Sequence, residues 1–478
     1  MTPSVLVAGV DSSTQSTKVV VCEAETGRIV REGRAPHPDG TEVDPDSWWA
    51  AYEEATVGGL LEGVAAIAVA GQQHGMVALD TERRVVRKAL LWNDTRSATA
   101  ATELVRELGG TQAWADAVGT VPLASITVAK LRWFAEHEPD LAQRVHDVLL
   151  PHDWLTAQIL GGGSAEGVPL VTDRGDASGT GYWSPSSGRY RVDLLERAFG
   201  RAVGVPRVLG PRDVAGTTSG GMVVGPGTGD NMGAALGLGL GAGDIVVSLG
   251  TSGTVFGVAE GPTADPSGFV AGFADATGRF LPLVCTLNAA RVLSATATML
   301  STDLAGVERL ALAAAPGAGG LTLLPYLDGE RTPDLPDATG TLGGLTRRNL
   351  TPANVARAAV EGMFCGLADG LDALRDSGAP VRRVLLIGGA ARSTAVQAVA
   401  SGILGAPVAV PSPGEYVALG AARQAAWVLA TSRGDAENEP PSWPVEAREA
   451  AGVKESDGER GRVVREAYRR LRQTLHGV

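Results

Sequence analysis

The sequence predicts an α/β protein built from two similar halves, and two observations lead to this prediction. Apolar, β-branched runs that are typical of buried strands alternate with stretches of helical periodicity along the 478 residues. A strand, a turn rich in Gly, Ser and Thr and a second strand occur near residue 11 and again near residue 250. We therefore expect two domains, residues 1–243 and 244–478, each centred on a mixed sheet flanked by helices.

The elements of the first half follow from apolar runs, helical periodicity and capping residues. They are strands at 4–10, 19–22 and 64–70, and helices from about residue 48, at 98–108 and within 124–160. The polar turn at 11–17 joins the first two strands into a hairpin. The third strand runs into the polar segment GQQHG at 71–75.

The second half repeats the opening hairpin and adds a long helix. Its predicted elements are strands at 244–249, 255–258 and 384–387, and helices at 351–375 and 461–475. Thr351 is suited to the N-cap of the long helix and Pro352 to its first position. The turn at 250–254 corresponds to the turn at 11–17.

Composition excludes several classes of partner. The net charge is −12 at pH 7, so binding to DNA, RNA or an anionic membrane would gain little from charge neutralisation. The cysteines (Cys22, Cys285 and Cys365) lie far apart without metal-ligand spacing, which is typical of reduced thiols. The first residues read as a strand and not as a signal peptide, and no apolar run approaches 18 residues. We expect a cytoplasmic protein without nucleic-acid or membrane partners.

The two Gly, Ser and Thr-rich turns are candidate phosphate-binding segments. Backbone N–H groups and hydroxyls in such a turn can bind phosphate, and no P-loop pattern is present. Either turn alone is more often an ordinary hairpin turn, but two of them one domain apart favour a two-lobed nucleotide cleft. Asp11, at the start of the first turn, is suited to bind Mg²⁺ through water.

A third feature is the acidic residue Asp230 in the segment 227–231. It precedes a run of small residues that begins a helix, and the helix N-terminus favours an ionised carboxylate. An ionised carboxylate at a cleft can accept the proton of a substrate hydroxyl. Asp230 is therefore a candidate general base.

Short segments in a fixed order connect these features to a known family. They are GVDSSTQSTK at 9–18, AGQQHGMV at 70–77, LLWNDTR at 90–96, LLPHDWL at 149–155, TDRGDASGT at 172–180, GDNMGAALG at 229–237, VSLGTSG at 247–253, LPYLDGERTP at 324–333, LLIGGAARS at 385–393 and ALGAA at 418–422. With this ordered set, over about residues 4–475, the chain resembles the FGGY carbohydrate kinases, and within them the xylulokinases. The resemblance implies the two-lobed fold of actin-like and hexokinase-like ATPases, with ribonuclease H-like domains.

The resemblance also implies roles for individual residues. Asp230 matches the base that deprotonates the sugar hydroxyl, and Asp11 matches the acid near Mg²⁺ and the transferred phosphate. The residues implied in ATP binding are Thr14 and Lys18 in the first phosphate loop, Gly250, Thr251 and Ser252 in the second, and Gly388, Gly389 and Ser393 in the adenosine segment. The residues implied in sugar binding are Gln73, His74, Asp230, Asn231, Trp92 and Asp94.

The implied reaction is the ATP-dependent phosphorylation of D-xylulose to D-xylulose 5-phosphate with Mg²⁺, and homodimers are common in the family. Two positions depart from the family pattern. Ser13 replaces a Gly that is frequent in the first loop, and Gln73 replaces the Met that often precedes His74. A polar Gln73 could add a hydrogen bond to a sugar hydroxyl.

Other interpretations remain open from the residues. Another FGGY kinase would act on ribulose, glycerol or a related polyol. A filament or chaperone ATPase of the actin-like class would hydrolyse ATP without sugar, and a sugar sensor would bind without catalysis. The Gln73-His74 and Asp230-Asn231 pairs argue against the filament or chaperone ATPase. The remaining histidines show no ligand spacing and are expected at the surface or in packing; they are His37, His137, His146, His152 and His476.

Overall fold

The computed structural model describes residues 4–435, 438–450 and 455–478, and the side chains of 455–457 are outside this description. The chain forms two compact units. The described residues up to 240, 260–281 and 414–445 form the first, and those in 241–259, 282–413 and 446–478 form the second. Two segments that the division at residue 243 assigns to the C-terminal domain thus belong to the first unit. That division into contiguous domains stays a prediction.

The strands and helices are numbered here in chain order. The strands are β1 (Leu6–Ser12), β2 (Ser16–Glu23), β3 (Ile29–Pro36), β4 (Glu42–Val43), β5 (Val64–Gly71), β6 (Val77–Leu79), β7 (Ala89–Leu90), β8 (Asp147–Leu149), β9 (Val171–Asp173), β10 (Trp183–Ser184), β11 (Arg189–Tyr190), β12 (Arg207–Leu209), β13 (Gly216–Thr217), β14 (Val223–Val224), β15 (Thr228–Gly229), β16 (Asp244–Leu249), β17 (Gly253–Gly257), β18 (Ala271–Ala274), β19 (Phe280–Thr286), β20 (Thr322–Leu324), β21 (Thr341–Gly343), β22 (Arg383–Ile387), β23 (Val408–Pro411) and β24 (Ala447–Glu449).

The helices are α1 (Asp46–Ala55), α2 (Ala98–Leu108), α3 (Thr111–Val118), α4 (Thr127–His137), α5 (Pro139–Ala142), α6 (Pro151–Gly161), α7 (Arg174–Ser178), α8 (Val192–Phe199), α9 (Asp230–Gly237), α10 (Ala290–Met299), α11 (Leu304–Ala313), α12 (Pro352–Asp376), α13 (Thr394–Leu404), α14 (Tyr416–Ser432) and α15 (Glu455–His476), with short 3₁₀ turns at Ala318–Gly320 and Gly389–Arg392. None of the helices in the described part of the chain combines the length and the apolar composition that a membrane span requires.

The first unit contains a mixed sheet in the order β13-β14-β5-β1-β2-β3, with β15 also paired to β5. Strands β1 and β2 form the predicted antiparallel hairpin, whereas β1, β5 and β15 run parallel. The register places Asp11 beside Ala70, and Gly71 beside Gly229. The segments that follow these three parallel strands therefore leave the sheet at one edge, where sites of α/β sheets are usually found.

The second unit has its own mixed sheet, in which β19, β17, β16, β22, β23 and β24 are neighbours in that order. Strands β16 and β17 form the second predicted hairpin, and β22 runs parallel to β16 with Ser248 beside Ile387. The turns that follow β16 and β22 consequently lie next to each other. Thr351 caps α12 by accepting a hydrogen bond from the N–H of Asn354, as the sequence predicts.

Helix α14 packs at backbone contact on two elements of the first unit. A Cβ atom at Gly9 of β1 would lie 1.9 Å from the carbonyl oxygen of Ala418. One at Gly420 would lie 1.9 Å from the carbonyl oxygen of Gly233, and one at Gly237 would lie 2.0 Å from that of Tyr416. Only glycine allows β1, α9 and α14 to approach so closely.

This packing predicts opposite effects for two helical Gly→Ala substitutions. Gly420→Ala should destabilise the protein by about 2 kcal/mol or more, because its Cβ meets backbone atoms that cannot move independently. Gly458→Ala in α15 has no atom within 4 Å of the new Cβ and should stabilise by up to about 1 kcal/mol through helix propensity. Urea unfolding monitored by circular dichroism measures both changes, and equal stability of the two variants would contradict the packing argument.

Candidate active site

Asp11, the penultimate residue of β1, carries a buried carboxylate and is 2% exposed. The Ser13 hydroxyl donates to its Oδ1, and Lys18 Nζ lies 3.3 Å from its Oδ2. Lys18 also lies 2.7 Å from Oε2 of Glu415, directly before α14. Burial raises the pKa of Asp11 above its usual value, and the charge of Lys18 opposes this rise. The Ser13 departure from the family pattern thus supplies a hydrogen bond to the candidate magnesium-binding acid.

The segment after β7 contacts the first phosphate loop. Trp92 Nε1 donates to Thr14 Oγ1 over 2.9 Å, which ties one implied sugar residue to one implied phosphate residue. Asp94 is held within the protein, because Thr41 donates to its Oδ2 over 2.8 Å and Arg96 Nε to its Oδ1 over 2.9 Å. These bonds orient the carboxylate and leave a lone pair on Oδ2.

Asp230, Asn231 and Gln73 form one hydrogen-bonded group at the sheet edge. The backbone N–H and the side-chain Nδ2 of Asn231 both donate to Asp230 Oδ1, each over 2.8 Å. Asn231 Nδ2 also lies 3.3 Å from Gln73 Oε1. Gln73 is 4% exposed, and its Nε2 has no hydrogen-bond partner among the described residues. Three of the implied sugar residues are therefore brought together, with one amide donor unused.

The electrostatic setting of Asp230 suits a general base. Burial raises the pKa of Asp230 to about 7, and the negative charge of Asp11 adds to the rise, while the hydrogen bonds from Asn231 oppose it. A base works best when its pKa lies near the working pH, since it is then both available and strong enough to take a proton. Asp230 meets this condition near neutrality.

His74 is held in an unusual backbone conformation beside this group. Its φ of 67° is positive, which a residue other than glycine adopts only when its surroundings enforce it. The Nδ1 atom of His74 lies 2.8 Å from the carbonyl oxygen of Gly179, and Thr127 Oγ1 donates to the backbone carbonyl oxygen of His74 over 3.1 Å. The ring packs on Phe273 with centroids 5.5 Å apart. Because a carbonyl only accepts, Nδ1 is a protonated nitrogen of this ring.

Several supporting residues of this site were missing from the sequence prediction. Glu415, Phe273 and Gly179 lie far along the chain from the residues that they contact. None belongs to a pattern that names a partner, so only the tertiary structure identifies them. Two segments came nearest to identifying them: TDRGDASGT at 172–180 contains Gly179, and ALGAA at 418–422 marks the helix that follows Glu415.

In the second unit, a cavity of about 540 Å³ gathers the implied nucleotide residues. Its lining includes Gly250, Thr251, Gly389 and Ser393, together with the apolar side chains of Leu293, Leu304, Val307 and Val360. Gly388 lies directly behind it with φ of 91°, and a Cβ there would lie 2.6 Å from the carbonyl oxygen of Leu249. Ser252 is outside the lining set. The volume and the mostly apolar wall are typical of small-molecule pockets.

Comparison with known proteins identifies the family. The sequence model for the N-terminal domain of the FGGY family of carbohydrate kinases matches residues 6–237, and that for the C-terminal domain matches residues 245–429. The chain belongs to the FGGY family of carbohydrate kinases. The predicted family and enzyme class are confirmed.

This FGGY kinase is similar to curated xylulose kinases along most of its length. It is 48% identical over 439 residues to the xylulose kinase of Streptomyces coelicolor, covering 89% of this chain and 88% of that protein. It is 47% identical over 439 residues to the xylulose kinase of Streptomyces rubiginosus, with the same coverage. The crystal structure of xylulose kinase from Bifidobacterium adolescentis superposes with a TM-score of 0.88 at 46% identity, covering 98% of this chain and 99% of that one. The predicted fold class is also confirmed.

The raised pKa of Asp230 predicts how stability depends on pH. Between its usual pKa of 3.8 and about 7, the folded state binds the proton more tightly than the unfolded state, so ionisation of Asp230 destabilises the fold as pH rises. The melting temperature of Asp230→Asn, relative to that of the wild type, should therefore increase from pH 5 to pH 8, by on the order of 2 °C.

Asp94→Asn is the matched control, because the pKa of Asp94 is shifted in the opposite direction, below its usual value. Hydrogen bonds from Thr41 and Arg96 outweigh burial and lower the pKa of Asp94, so its ionised form stabilises the fold above its usual pKa. Asp94→Asn should melt below the wild type at both pH values. A difference between Asp230→Asn and wild type that does not change between pH 5 and pH 8 would contradict the raised pKa.

Proposed function

We propose that this FGGY kinase transfers the γ-phosphoryl group of ATP to the C5 hydroxyl of D-xylulose, giving D-xylulose 5-phosphate and ADP. The observation that carries the proposal is the Asp230 carboxylate, with its pKa near 7, bonded to Asn231 beside Gln73 and His74. The xylulose kinases to which the chain is 47–48% identical support the choice of sugar. The cytoplasmic location and the homodimer stay predictions.

Asp230 would act as the general base. Both bonds from Asn231 reach Oδ1, so they orient the carboxylate and leave Oδ2 to take the hydroxyl proton. As the proton moves to Oδ2, the hydroxyl oxygen forms a bond to the γ-phosphorus, and the bond from that phosphorus to the bridging oxygen of ADP breaks. The charge of Asp11 helps keep Asp230 basic enough for this step.

Gln73 and His74 would bind the other hydroxyls of the sugar. The buried Gln73 Nε2 lacks a protein acceptor, and an unmet buried donor costs stability that a ligand oxygen recovers. The bond from His74 Nδ1 to the Gly179 carbonyl oxygen orients the ring, and an imidazole can exchange hydrogen bonds with a sugar hydroxyl. Trp92, Asn231 and Asp94 are the further sugar residues that the family resemblance implies.

ATP would bind in the cavity of the second unit. Thr251 and Ser252 offer hydroxyls to the phosphates, and the apolar cavity wall suits a nucleoside base. Thr14 and Lys18 are the further ATP residues that the family resemblance implies. Gly250, Gly388, Gly389 and Ser393 complete the implied nucleotide set.

Asp11 fits a role at Mg²⁺. A carboxylate oxygen is a preferred ligand of Mg²⁺ and of its bound waters. Ser13 and Lys18 each engage one oxygen of Asp11, which leaves lone pairs for a metal-bound water. When bound with ATP, Mg²⁺ supplies charge neutralisation at the phosphates.

ADP release from Mg·ATP against a sugar panel tests the proposal. We expect the highest kcat/KM for D-xylulose among D-xylulose, L-xylulose, D-ribulose, L-ribulose and glycerol, and a low rate without sugar. Asp230→Asn should lower kcat by a factor of about 10² to 10⁴, because the asparagine amide cannot accept the hydroxyl proton. Preference for another sugar would overturn the assignment of D-xylulose as the substrate but would be consistent with the kinase mechanism. Equal release with and without sugar would instead support a sugar-independent ATPase.

Gln73→Met tests the sugar contact separately from the chemistry. This change restores the residue that is frequent in the family and removes the amide donor. If Gln73 Nε2 binds a sugar hydroxyl, the KM for D-xylulose should rise about 2- to 10-fold while that for ATP is unchanged, since a neutral hydrogen bond contributes about 0.5–1.5 kcal/mol. An unchanged KM for the sugar would show that the donor does not bind it.

A further inference from the structure

Ionisable side chains are concentrated in the interior of the first unit, in two segments that carry the family resemblance (149–155 and 172–180) but to which the resemblance assigns no site residue. His152 and Asp153 lie on α6, Asp173 ends β9, and Asp176 lies on α7; all are between 0% and 3% exposed. Buried charges cost more than apolar residues of the same size unless they are well paired, so such a group rarely serves stability alone.

The imidazole of His152 is bonded on both sides. Nδ1 lies 2.6 Å from Asp176 Oδ2, and Nε2 lies 3.3 Å from the carbonyl oxygen of Pro226 and 3.3 Å from Asp153 Oδ1. Because both nitrogens face acceptors, the protonated ring satisfies them best. Burial alone would lower the pKa of His152, but the charges of Asp153 and Asp176 raise it above its usual value. The contacts of both ring nitrogens therefore favour the protonated form of His152, paired with Asp176.

One branch of this group leads to Asp230. Thr228 Oγ1 donates to Asp173 Oδ2 over 2.9 Å, and Thr228 lies in β15, directly before the helix that Asp230 opens. The ring of His152 fills the space beside Gly227, where a Cβ would lie 2.5 Å from His152 Cδ2. The chain leading into Asp230 is therefore fixed by a side-chain bond and by packing.

The other branch leads to His74. Asp173 caps α7 by accepting from the N–H of Gly175 over 2.8 Å and of Asp176 over 2.9 Å. Helix α7 ends at Gly179, whose carbonyl oxygen is the partner of His74 Nδ1. The same short helix thus holds His152 through Asp176 and His74 through Gly179.

We propose that His152, Asp173 and Asp176 form a buried positioning frame that sets Asp230 and His74 relative to each other for the sugar. This role rests on the proposed function. Rigid support is important because a displacement of about 1 Å at a reacting group can lower the rate about 10²-fold. Ion-paired, doubly bonded side chains define one geometry better than apolar contacts, which tolerate sliding.

A metal site is the alternative for the same side chains. Ligand atoms of His152, Asp153 and Asp176 lie within 4.8 Å of one another. However, both nitrogens of His152 already face protein acceptors, and a metal would need one of them deprotonated and free. The geometry therefore favours the ion-paired frame.

Thr228→Val and Thr228→Ser test the branch to Asp230. Valine has the shape of threonine without the hydroxyl, so Thr228→Val should lower kcat with D-xylulose about 10- to 100-fold and leave the KM for ATP unchanged. Thr228→Ser keeps the bond to Asp173 and should retain most of the activity. Wild-type kcat in Thr228→Val, or equal losses in both variants, would overturn the positioning role.

Asp176→Asn tests the frame as a whole, because Asp176 serves both branches. It should lower kcat and also raise the KM for the sugar, because a weaker bond to His152 loosens α7, and the residue that follows α7, Gly179, carries the carbonyl oxygen bonded to His74. The matched control is Glu361→Gln in the second unit, which weakens another buried ion pair. In that pair Arg357 Nε lies 2.6 Å from Glu361 Oε1. This control should lose stability but keep kcat and both KM values within about 2-fold of the wild type.

All variants are assayed well below their melting temperatures, with folding checked by circular dichroism. If Asp176→Asn does not fold, the Thr228 pair decides the question alone. A wild-type enzyme that phosphorylates no sugar of the panel would overturn the proposed function and the frame with it. An active wild type with unaffected Thr228→Val and Asp176→Asn would overturn the frame and leave the proposed function intact.

Discussion

The close packing of α14 in the first unit is the constraint on which the candidate catalytic residues depend. This one helix touches the backbone of β1, whose last two residues are Asp11 and Ser12, and the backbone of α9, which begins with Asp230. Glycines at these crossings let the backbones meet directly, with no flexible side chains between them. The residue before the helix, Glu415, is the ion-pair partner of Lys18. A single element thus fixes the two acids and the nearest cation.

Holding two acids in this way has an electrostatic consequence. Burial and the charge of Asp11 raise the pKa of Asp230, which destabilises its ionised form in the fold and makes that form a stronger base. Such opposition between stability and activity is common at catalytic sites. Lys18 limits the rise of the pKa of Asp11 by pairing with it, whereas neutral hydrogen bonds, from Asn231 and from the backbone N–H of Asp230 itself, oppose the rise at Asp230.

Elements defined by short-range patterns could be read from the sequence. The hairpins β1–β2 and β16–β17 and the helix α12 with its Thr351 cap occur as predicted, because local periodicity and capping encode them. The sequence did not predict that segments 260–281 and 414–445 belong to the first unit, because their placement depends on packing between segments that are distant along the chain. The position of His152 was equally hidden, since its partners Asp176 and Pro226 follow it by 24 and 74 positions.

The sugar residues illustrate why the family pattern identifies a site better than it explains one. His74 and Asp230 are separated in sequence, and each is held by groups that would not contact a sugar: a carbonyl of α7 for His74 and the backbone before α9 for Asp230. Such support leaves few polar atoms, among them Gln73 Nε2, for the substrate. Preorganised groups need little rearrangement when charge develops in the reaction, so in the proposed mechanism the supporting residues would contribute to catalysis without touching the sugar. Specificity for one ketose over another then depends on a small number of hydrogen bonds, and a single substitution such as Met to Gln at residue 73 can change it.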